Sequence, residues 1–403
     1  MYIGREIEAT LDSHLKQFKV VLVTGARQVG KTTMLRHHLP REYEYVSLDD
    51  MNQLLLATTD SAAFLNERRL PIVIDEVQQA PDLFRQTKLV VDGIEECGMV
   101  VLTGSQTYNL MQGVSESLAG RVGILEMTPL SLREVTGSIG RGPYVPREID
   151  RTEFPHPDGL DIWACIQRGS MPRLQDEDVD WYDFYASYVR TYLERDVRQL
   201  INLKDERTFY NFMIACAART GQLLNVSDIA ETVGVDAKTA QGWLSALQAS
   251  GIVYVMQPFW TNANKRLAKT PKLYFMDTGL ACHLGGWNTP DQLSRGAMSG
   301  QMFETFVVSE VLKSYKNAGR DTRSVSFYRD ARKREIDLVI QDGRTLHPVE
   351  IKAGMTVRSD AVKNFSCLDD ISGYEMGLGH VICQTEEPYF ISRDVQAVPV
   401  WAI

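Results

Sequence analysis

At 403 residues the chain exceeds what one hydrophobic core usually spans, so roughly two to four domains are expected. Hydrophobic residues make up 44% and charged residues 24%, an ordinary globular balance, and no run approaches the ~18 apolar residues of a membrane span. The net charge of -9 argues against a protein that coats nucleic acid non-specifically, so any such contact must be local.

The first residues, "MYIGREIEATLDSHLK", carry charges every few positions and lack the apolar stretch of a signal peptide, which points to the cytoplasm. A strand-like run, Val20 to Val23, leads through Gly25-x-x-x-x-Gly30-Lys31-Thr32 into a helical pattern. Strand, loop and helix in this order make a Walker A motif, with Gly25, Gln28, Val29, Gly30, Lys31, Thr32 and Thr33 as the phosphate cradle. The glycines let successive N–H groups face the phosphates, Lys31 reaches their outer oxygens, and the Thr32 hydroxyl holds magnesium. ATP and Mg2+ are the expected cofactors.

"EYEYVSLDD" at 42–50 is a further strand, and "LPIVIDEV" is a buried strand ending in Asp75 and Glu76, as a Walker B strand does. Asp75 would hold magnesium, and Glu76 would polarise the attacking water. The two Walker strands are therefore not consecutive, which fits the additional-strand class of ATPases. "GMVVLTGSQ" ends in Ser105 and Gln106, placed to sense the γ-phosphate. Arg121 stands immediately before the fifth strand, where AAA-type proteins place an arginine that completes a neighbour's site; a structural salt bridge is the alternative.

Residues 138–160 are rich in Pro, Gly and charge and read as a linker. Tyr185, Tyr188, Val189 and Tyr192 then fall near one helix face, a core stripe with base stacking as the alternative, and Glu194, Arg195 and Asp196 could contact a neighbour in an assembly. "LLNVSDIAETVGVDAKTAQGWLSALQASGIVYVMQPF" reads as a winged helix-turn-helix, with Ser227 and Asp236 as caps and Gly234 and Gly251 at turns. Its recognition helix offers base edges little beyond Lys238, Thr239 and Gln241, whereas the wing carries Lys265, Arg266, Lys269 and Lys272.

"GARQVGKTT", "VIDEVQQAPDLF", "LTGSQ…SLAGR…LEMTPLSLREV", "RGSMPRL" and "YLERDV" together resemble the bacterial and archaeal AAA-domain ATPases that carry a C-terminal domain of unknown function. The resemblance covers nearly the whole chain. It implies an ATP-binding protein with a nuclease-like end.

From "GQMFETFVVSEVLKSY" the pattern is helix, "SVSFYRD", "EIDLVI", a turn, "HPVEIK" and another amphipathic helix, which resembles the restriction-endonuclease-like PD-(D/E)XK fold. There two carboxylates share a hard cation and a lysine stands near the attacking water. Asp337, Glu350 and Lys352 take those places, Glu304 on the preceding helix would add a carboxylate, and a second Mg2+ or Mn2+ is the implied ion. Glu350 and Lys352, two apart, face one side of a strand and could equally be a salt-bridged pair. Six scattered cysteines and seven histidines show no ligand spacing.

The expected fold class is α/β: an AAA-type P-loop domain at 1–137, a linker and helical connector at 138–205, a winged helix at 206–290 and a PD-(D/E)XK-like domain at 291–403. Expected partners are DNA and further copies of the chain, without a membrane. A non-cleaving ATP switch that binds proteins is the alternative function.

Overall fold

The computed structural model describes residues 2–105, 117–192, 205–260, 269–369 and 371–403. Gln106, Glu194, Arg195, Asp196, Lys265 and Arg266 lie outside the described residues. The chain divides into two compact units, one of Met1–Leu130 with Ala249–Gly251 and Lys316–Arg320, the other of Ser131–Gln248, Ile252–Tyr315 and Asp321–Ile403.

The first unit is a parallel sheet of β1 (Val20–Gly25), β2 (Glu44–Ser47), β3 (Ile72–Asp75), β4 (Val100–Thr103) and β5 (Val122–Met127), in the order β2-β3-β4-β1-β5. Its helices are α1 (Ile7–Gln17), α2 (Lys31–His38), α3 (Met51–Thr59), α4 (Ser61–Asn66) and α5 (Asp82–Asp92). The apolar strand runs that the sequence shows are what a parallel sheet covered on both faces requires, and every residue of β1, β3 and β4 is buried. Val20, Leu22, Ile72, Ile74, Val100 and Leu102 alternate towards one core that also holds Phe64 and Phe84. The strand between the two Walker strands in space is β4, not the β2 that separates them in sequence.

The rest of the chain supplies α6 (Leu132–Val135), α7 (Ile162–Arg168), α8 (Trp181–Tyr192), α9 (Glu206–Ala217), β6 (Gln222–Leu223), α10 (Val226–Val233) and α11 (Ala237–Ala249). After these come β7 (Val253–Met256), β8 (Lys272–Phe275), α12 (Thr278–Gly285), α13 (Pro290–Arg295) and α14 (Ser299–Asn317). β6, β8 and β7 form a small antiparallel sheet in that order. The larger sheet holds β9 (Val325–Arg329), β10 (Glu335–Asp342), β11 (Thr345–Ile351), β12 (Glu375–Met376), β13 (Gly379–Cys383), β14 (Tyr389–Ser392) and β15 (Val395–Pro399). β9, β10 and β11 are an antiparallel meander, and β13 runs parallel to β11. The turn between β10 and β11, "QDGR" at 341–344, is a tight hairpin: Asp342 pairs with Thr345, and Gly343 takes a φ of 59°.

Two local expectations need correction. The cap of α10 is Asn225, whose side chain accepts from the Asp228 N–H at 3.3 Å; Ser227 lies inside the helix. Among the described residues no amphipathic helix follows β11. Two short 3-10 turns, Ser359–Val362 and Phe365–Leu368, stand there, with Phe365 and Leu368 buried and the Asn364 amide donating to the Glu335 carbonyl at 2.9 Å. Residues 138–160 carry no regular element, and the Ile149 backbone makes hydrogen bonds of 3.0 and 2.7 Å with the Gln396 side chain.

The tyrosine stripe on α8 is core, with Tyr185, Tyr188 and Tyr192 all buried. The Tyr185 hydroxyl donates to Asp277 Oδ1 at 2.5 Å, and Ser170 donates to Asp277 Oδ2 through both N–H and hydroxyl. Lys313 Nζ joins Ser170 Oγ at 3.1 Å to Glu310 at 2.7 Å, and Glu310 accepts from the Leu132 N–H. Buried polar groups are tolerated only when satisfied in this way. The network also explains "RGSMPRL": Gly169 has a φ of 81°, and a Cβ there would sit 2.3 Å from the Tyr185 hydroxyl.

His380 is wholly buried, between the Tyr144 hydroxyl at 2.7 Å and the Arg147 carbonyl at 2.8 Å. Burial pushes its pKa down to about 4. The unfolded chain, titrating near 6.5, then binds this proton more readily than the folded one. The contribution is therefore complete above about pH 6.5 and lost as the pH falls towards 4, by up to about 3 kcal/mol. Thermal melts between pH 7 and pH 4.5 should show this fall in wild type and a shallower one in His380→Gln; equal slopes would remove His380 as its source.

Candidate functional site

In the first unit the sequence places a nucleotide site at the C-terminal edge of the parallel sheet. Gly25 ends β1 with a φ of 141°, and a Cβ there would lie 2.1 Å from the Met127 carbonyl oxygen, so no larger residue fits beside β5. Gln28 has a φ of 60°, and Gly30 caps α2 with a φ of 94°, which turns the loop into the helix N-terminus. Lys31 is buried and donates to the Gly25 and Ala26 carbonyls at 2.8 Å each, folded onto its own loop. The Thr32 hydroxyl donates to Asp75 Oδ2 at 2.7 Å. Walker A and Walker B are thus joined at the two side chains expected to hold magnesium.

Glu76 has a φ of 57° directly after β3, and its carboxylate accepts from the Gln78 amide. Burial pushes its pKa up, with Gln78 and Lys31 opposing the rise. Ser105, two residues beyond β4, is buried, and its hydroxyl has no partner among the described residues. An orphaned hydroxyl of this kind costs about 1–3 kcal/mol, which a phosphate oxygen would relieve. A glycine cradle, a hydroxyl and carboxylate pair, and a waiting hydroxyl together fit a nucleotide with its magnesium.

Two contributors escaped the sequence. The Tyr45 hydroxyl on β2 donates to Asp75 Oδ2 beside Thr32, and the Arg36 guanidinium lies 4.0 Å from the Tyr45 ring centre. Arg5, buried, donates to the Val29 carbonyl at 2.8 Å and the Thr128 carbonyl at 2.7 Å, so it braces the loop from behind. Tyr45 sits in a strand-like run and was within reach of a register argument; Arg5 had no local signal.

Arg121 precedes β5 at its N-terminal edge, whereas the phosphate loop follows the C-terminal end of β1, the strand parallel to it. The six residues of β5, roughly 20 Å of strand, separate Arg121 from its own loop. Its Nε is 2.5 Å from Asp92 Oδ1 on α5. The salt-bridge alternative is realised within the chain.

The second unit brings Glu304, Asp337, Glu350 and Lys352 together. Lys352 Nζ is 2.6 Å from Glu350 Oε1, the pair left open by the sequence. Asp337 Oδ2 accepts the Ile351 N–H at 2.9 Å. Glu304 Oε1 accepts from the Tyr274 hydroxyl at 2.7 Å and from Lys272 Nζ at 2.9 Å. Among the described residues no three His, Cys, Asp or Glu side chains are placed to hold a metal ion. At the expected Glu304, Asp337 and Glu350 metal set one oxygen of each already accepts from a protein donor, Lys272 and Tyr274 at Glu304, the Ile351 N–H at Asp337 and Lys352 at Glu350.

Burial and the neighbouring Asp337 push Glu304 up to about 7, and burial with Asp337 does the same to Glu350. Asp337 is likewise raised by burial. Glu335, in contrast, is held below the usual value by Lys272 and Arg329, which outweigh its burial. Beside Glu350 and Lys352 opens a cavity of about 460 Å³ lined also by Arg358, Lys363 and Asn364.

Lys272 was expected on a phosphate-contacting wing. It is instead buried on β8, two residues from Tyr274 and on the same face. Lys269 remains exposed, 5.2 Å from the Trp260 ring centre. On α11, Thr239 is spent on the cap, its hydroxyl donating to Asp236 at 2.6 Å, while Lys238 and Gln241 are exposed.

Against known families, residues 17–136 match the AAA domain, 160–291 a domain of unknown function (DUF8612) and 299–403 another (DUF4143). The first unit carries an AAA-type P-loop domain. The chain is 29% identical over 358 residues to two uncharacterized proteins, Rv2008c of Mycobacterium tuberculosis and Mb2031c of Mycobacterium bovis, covering 87% of this chain and 74% of each. Among solved structures it is similar to a Walker-type ATPase, PABY2304 of Pyrococcus abyssi, at 14% identity and a TM-score of 0.41, covering 70% of this chain and 96% of that one. A RuvB variant of Thermotoga maritima matches at 18% identity and a TM-score of 0.33, covering 66% and 95%. Scores this low carry no fold assignment.

Gly25→Ala should weaken binding of a fluorescent ATP analogue more than ~10-fold, because the Met127 carbonyl is backbone and cannot yield cheaply. Gly242→Ala, on a helix with open space around it, should leave binding unchanged and raise stability by up to about 1 kcal/mol. Equal binding by both variants would show that the loop tolerates a side chain at 25.

Proposed function

We propose that this chain is an AAA-type ATPase that works as a nucleotide-driven switch, its C-terminal unit being a nuclease-like frame that does not cut. The hydrolytic reading rests on one observation: Thr32 and Asp75 meet at 2.7 Å with Lys31 and Glu76 beside them. Bound Mg2+ would neutralise charge building up on the phosphates during hydrolysis. Lys31 would exchange its loop carbonyls for phosphate oxygens, Ser105 would gain its missing partner, and Glu76 would orient and deprotonate water.

The frame reading is supported by element order in the second unit: α14, the β9-β10-β11 meander, then β13 parallel to β11. The non-cleaving part is supported by the donors that already engage the Glu304, Asp337 and Glu350 oxygens. A second reading, cleavage of DNA, is favoured by the cavity where Lys352, Arg358 and Lys363 could meet phosphates. The order of α9, β6, α10, α11, β7 and β8 supports a winged helix, which would meet DNA through exposed Lys238, Gln241 and Lys269. In an assembly of several copies, Arg121 would have to leave Asp92 to reach a neighbour's nucleotide. No helix among the described residues is long and apolar enough to cross a membrane, and the cytoplasm is the proposed location.

Lys31→Ala and Glu76→Gln should each lower steady-state ATP hydrolysis at least ~10²-fold, with Glu76→Gln still binding ATP. Because Glu76 acts as its carboxylate and burial raises its pKa, the wild-type rate should fall on the acid side of neutrality. Wild-type hydrolysis by Lys31→Ala would overturn the site. Incubation of wild type with linear, single-stranded and branched DNA, Mn2+ and ATP should yield no cleavage; cutting that disappears in Asp337→Ala would establish the second reading instead.

A further inference from the structure

Lys272 lies on a strand whose four residues, Lys272–Phe275, are all buried, with its side chain 3% exposed. An ammonium group so far from water needs carboxylates around it. It has two within contact, Glu304 Oε1 at 2.9 Å on α14 and Glu335 Oε1 at 2.6 Å on β10. Tyr274, two residues along the same strand face, gives its hydroxyl to the same Glu304 oxygen. Glu335 is engaged at both oxygens, since Arg329 reaches its Oε2 at 2.5 Å.

Beside these contacts, close enough for Lys272 to act on it by charge, lies Asp337, a carboxylate that the nuclease-like pattern would give to a divalent ion. Four carboxylates, Glu304, Glu335, Asp337 and Glu350, face three cations, Lys272, Arg329 and Lys352. A Mg2+ or Mn2+ ion needs lone pairs at about 2.0–2.2 Å, and the Lys272 ammonium claims one on Glu304 while its charge, which also acts on Asp337, repels the ion. Lys272 also comes from the 160–291 segment and not from the 299–403 segment that holds the carboxylates. The compensating charge is thus delivered by a separate stretch of sequence.

We infer that Lys272 is the resident cation of the C-terminal carboxylate set: it stands in for a divalent metal, and its removal converts the set into a metal site. The inference rests on the non-cleaving reading of this unit and is independent of ATP hydrolysis, so it is tested without nucleotide. Free Mn2+ would be followed by electron paramagnetic resonance in full-length wild type, Asp337→Asn, Lys272→Met, Lys272→Arg and Lys272→Met/Asp337→Asn, with folding checked by circular dichroism.

Wild type and Lys272→Arg should take up no Mn2+ that depends on Asp337 below about 1 mM. Lys272→Met should gain one Mn2+ per chain with an affinity at least ~10-fold higher, the gain vanishing in the double variant. A wild-type Mn2+ site lost in Asp337→Asn would overturn the inference, as would a folded Lys272→Met that gains nothing. Should Lys272→Met fail to fold, the comparison of wild type with Asp337→Asn decides: Asp337-dependent uptake overturns the inference, and its absence upholds it. Failure of the ATPase assignment would appear instead as an inactive wild type with this Mn2+ pattern intact.

Discussion

Lys272 carries its ammonium group out of water, and such a group is tolerable only where carboxylates meet it. That requirement fixes the surroundings. β8 must present Lys272 and Tyr274 to α14, β10 must begin with Glu335 within reach, and Arg329 must take the other Glu335 oxygen. The same constraint governs the Tyr185, Asp277, Ser170, Lys313 and Glu310 chain, where each buried polar group finds the next. In both places the backbone is held by charge that has nowhere else to go.

The first unit obeys a different rule. Its parallel strands are covered on both faces, so their side chains make core, and chemistry is left to the loops at their C-terminal ends. Thr32 follows β1, Glu76 follows β3 and Ser105 follows β4, while Asp75 closes β3, so sheet order alone gathers them. Lys31, with its ammonium on the Gly25 and Ala26 carbonyls, holds the loop in shape, and the buried Ser105 hydroxyl marks where a ligand oxygen is wanted.

Much of this was legible in the sequence because it is local. Gly25 to Thr33 is contiguous, Asp75 and Glu76 end one apolar run, and Glu350 and Lys352 share a strand face by spacing alone. The charge partners were not legible, since nothing in the sequence says that Lys272 meets Glu304 or that Arg5 meets Val29. Lys272 was misread for an instructive reason: among Lys265, Arg266 and Lys269 it looks like one more basic wing residue. Yet "KLYF" is a strand pattern, and a lysine two residues before a tyrosine in a buried strand is itself a sign of a buried partner. The Arg121 and Asp92 pair was equally hidden, because it joins a strand edge to a helix 29 residues earlier.

The most direct measurement is anomalous diffraction at the manganese edge from crystals of the full chain grown with Mn2+ and a non-hydrolysable ATP analogue. One peak is predicted, between the nucleotide phosphates and the side chains of Thr32 and Asp75, with the Glu304, Asp337 and Glu350 set showing none and Lys272 still between Glu304 and Glu335. A peak coordinated by Asp337 and Glu350, with Lys272 turned away, would contradict the charge-compensated frame and make this a metal-dependent site.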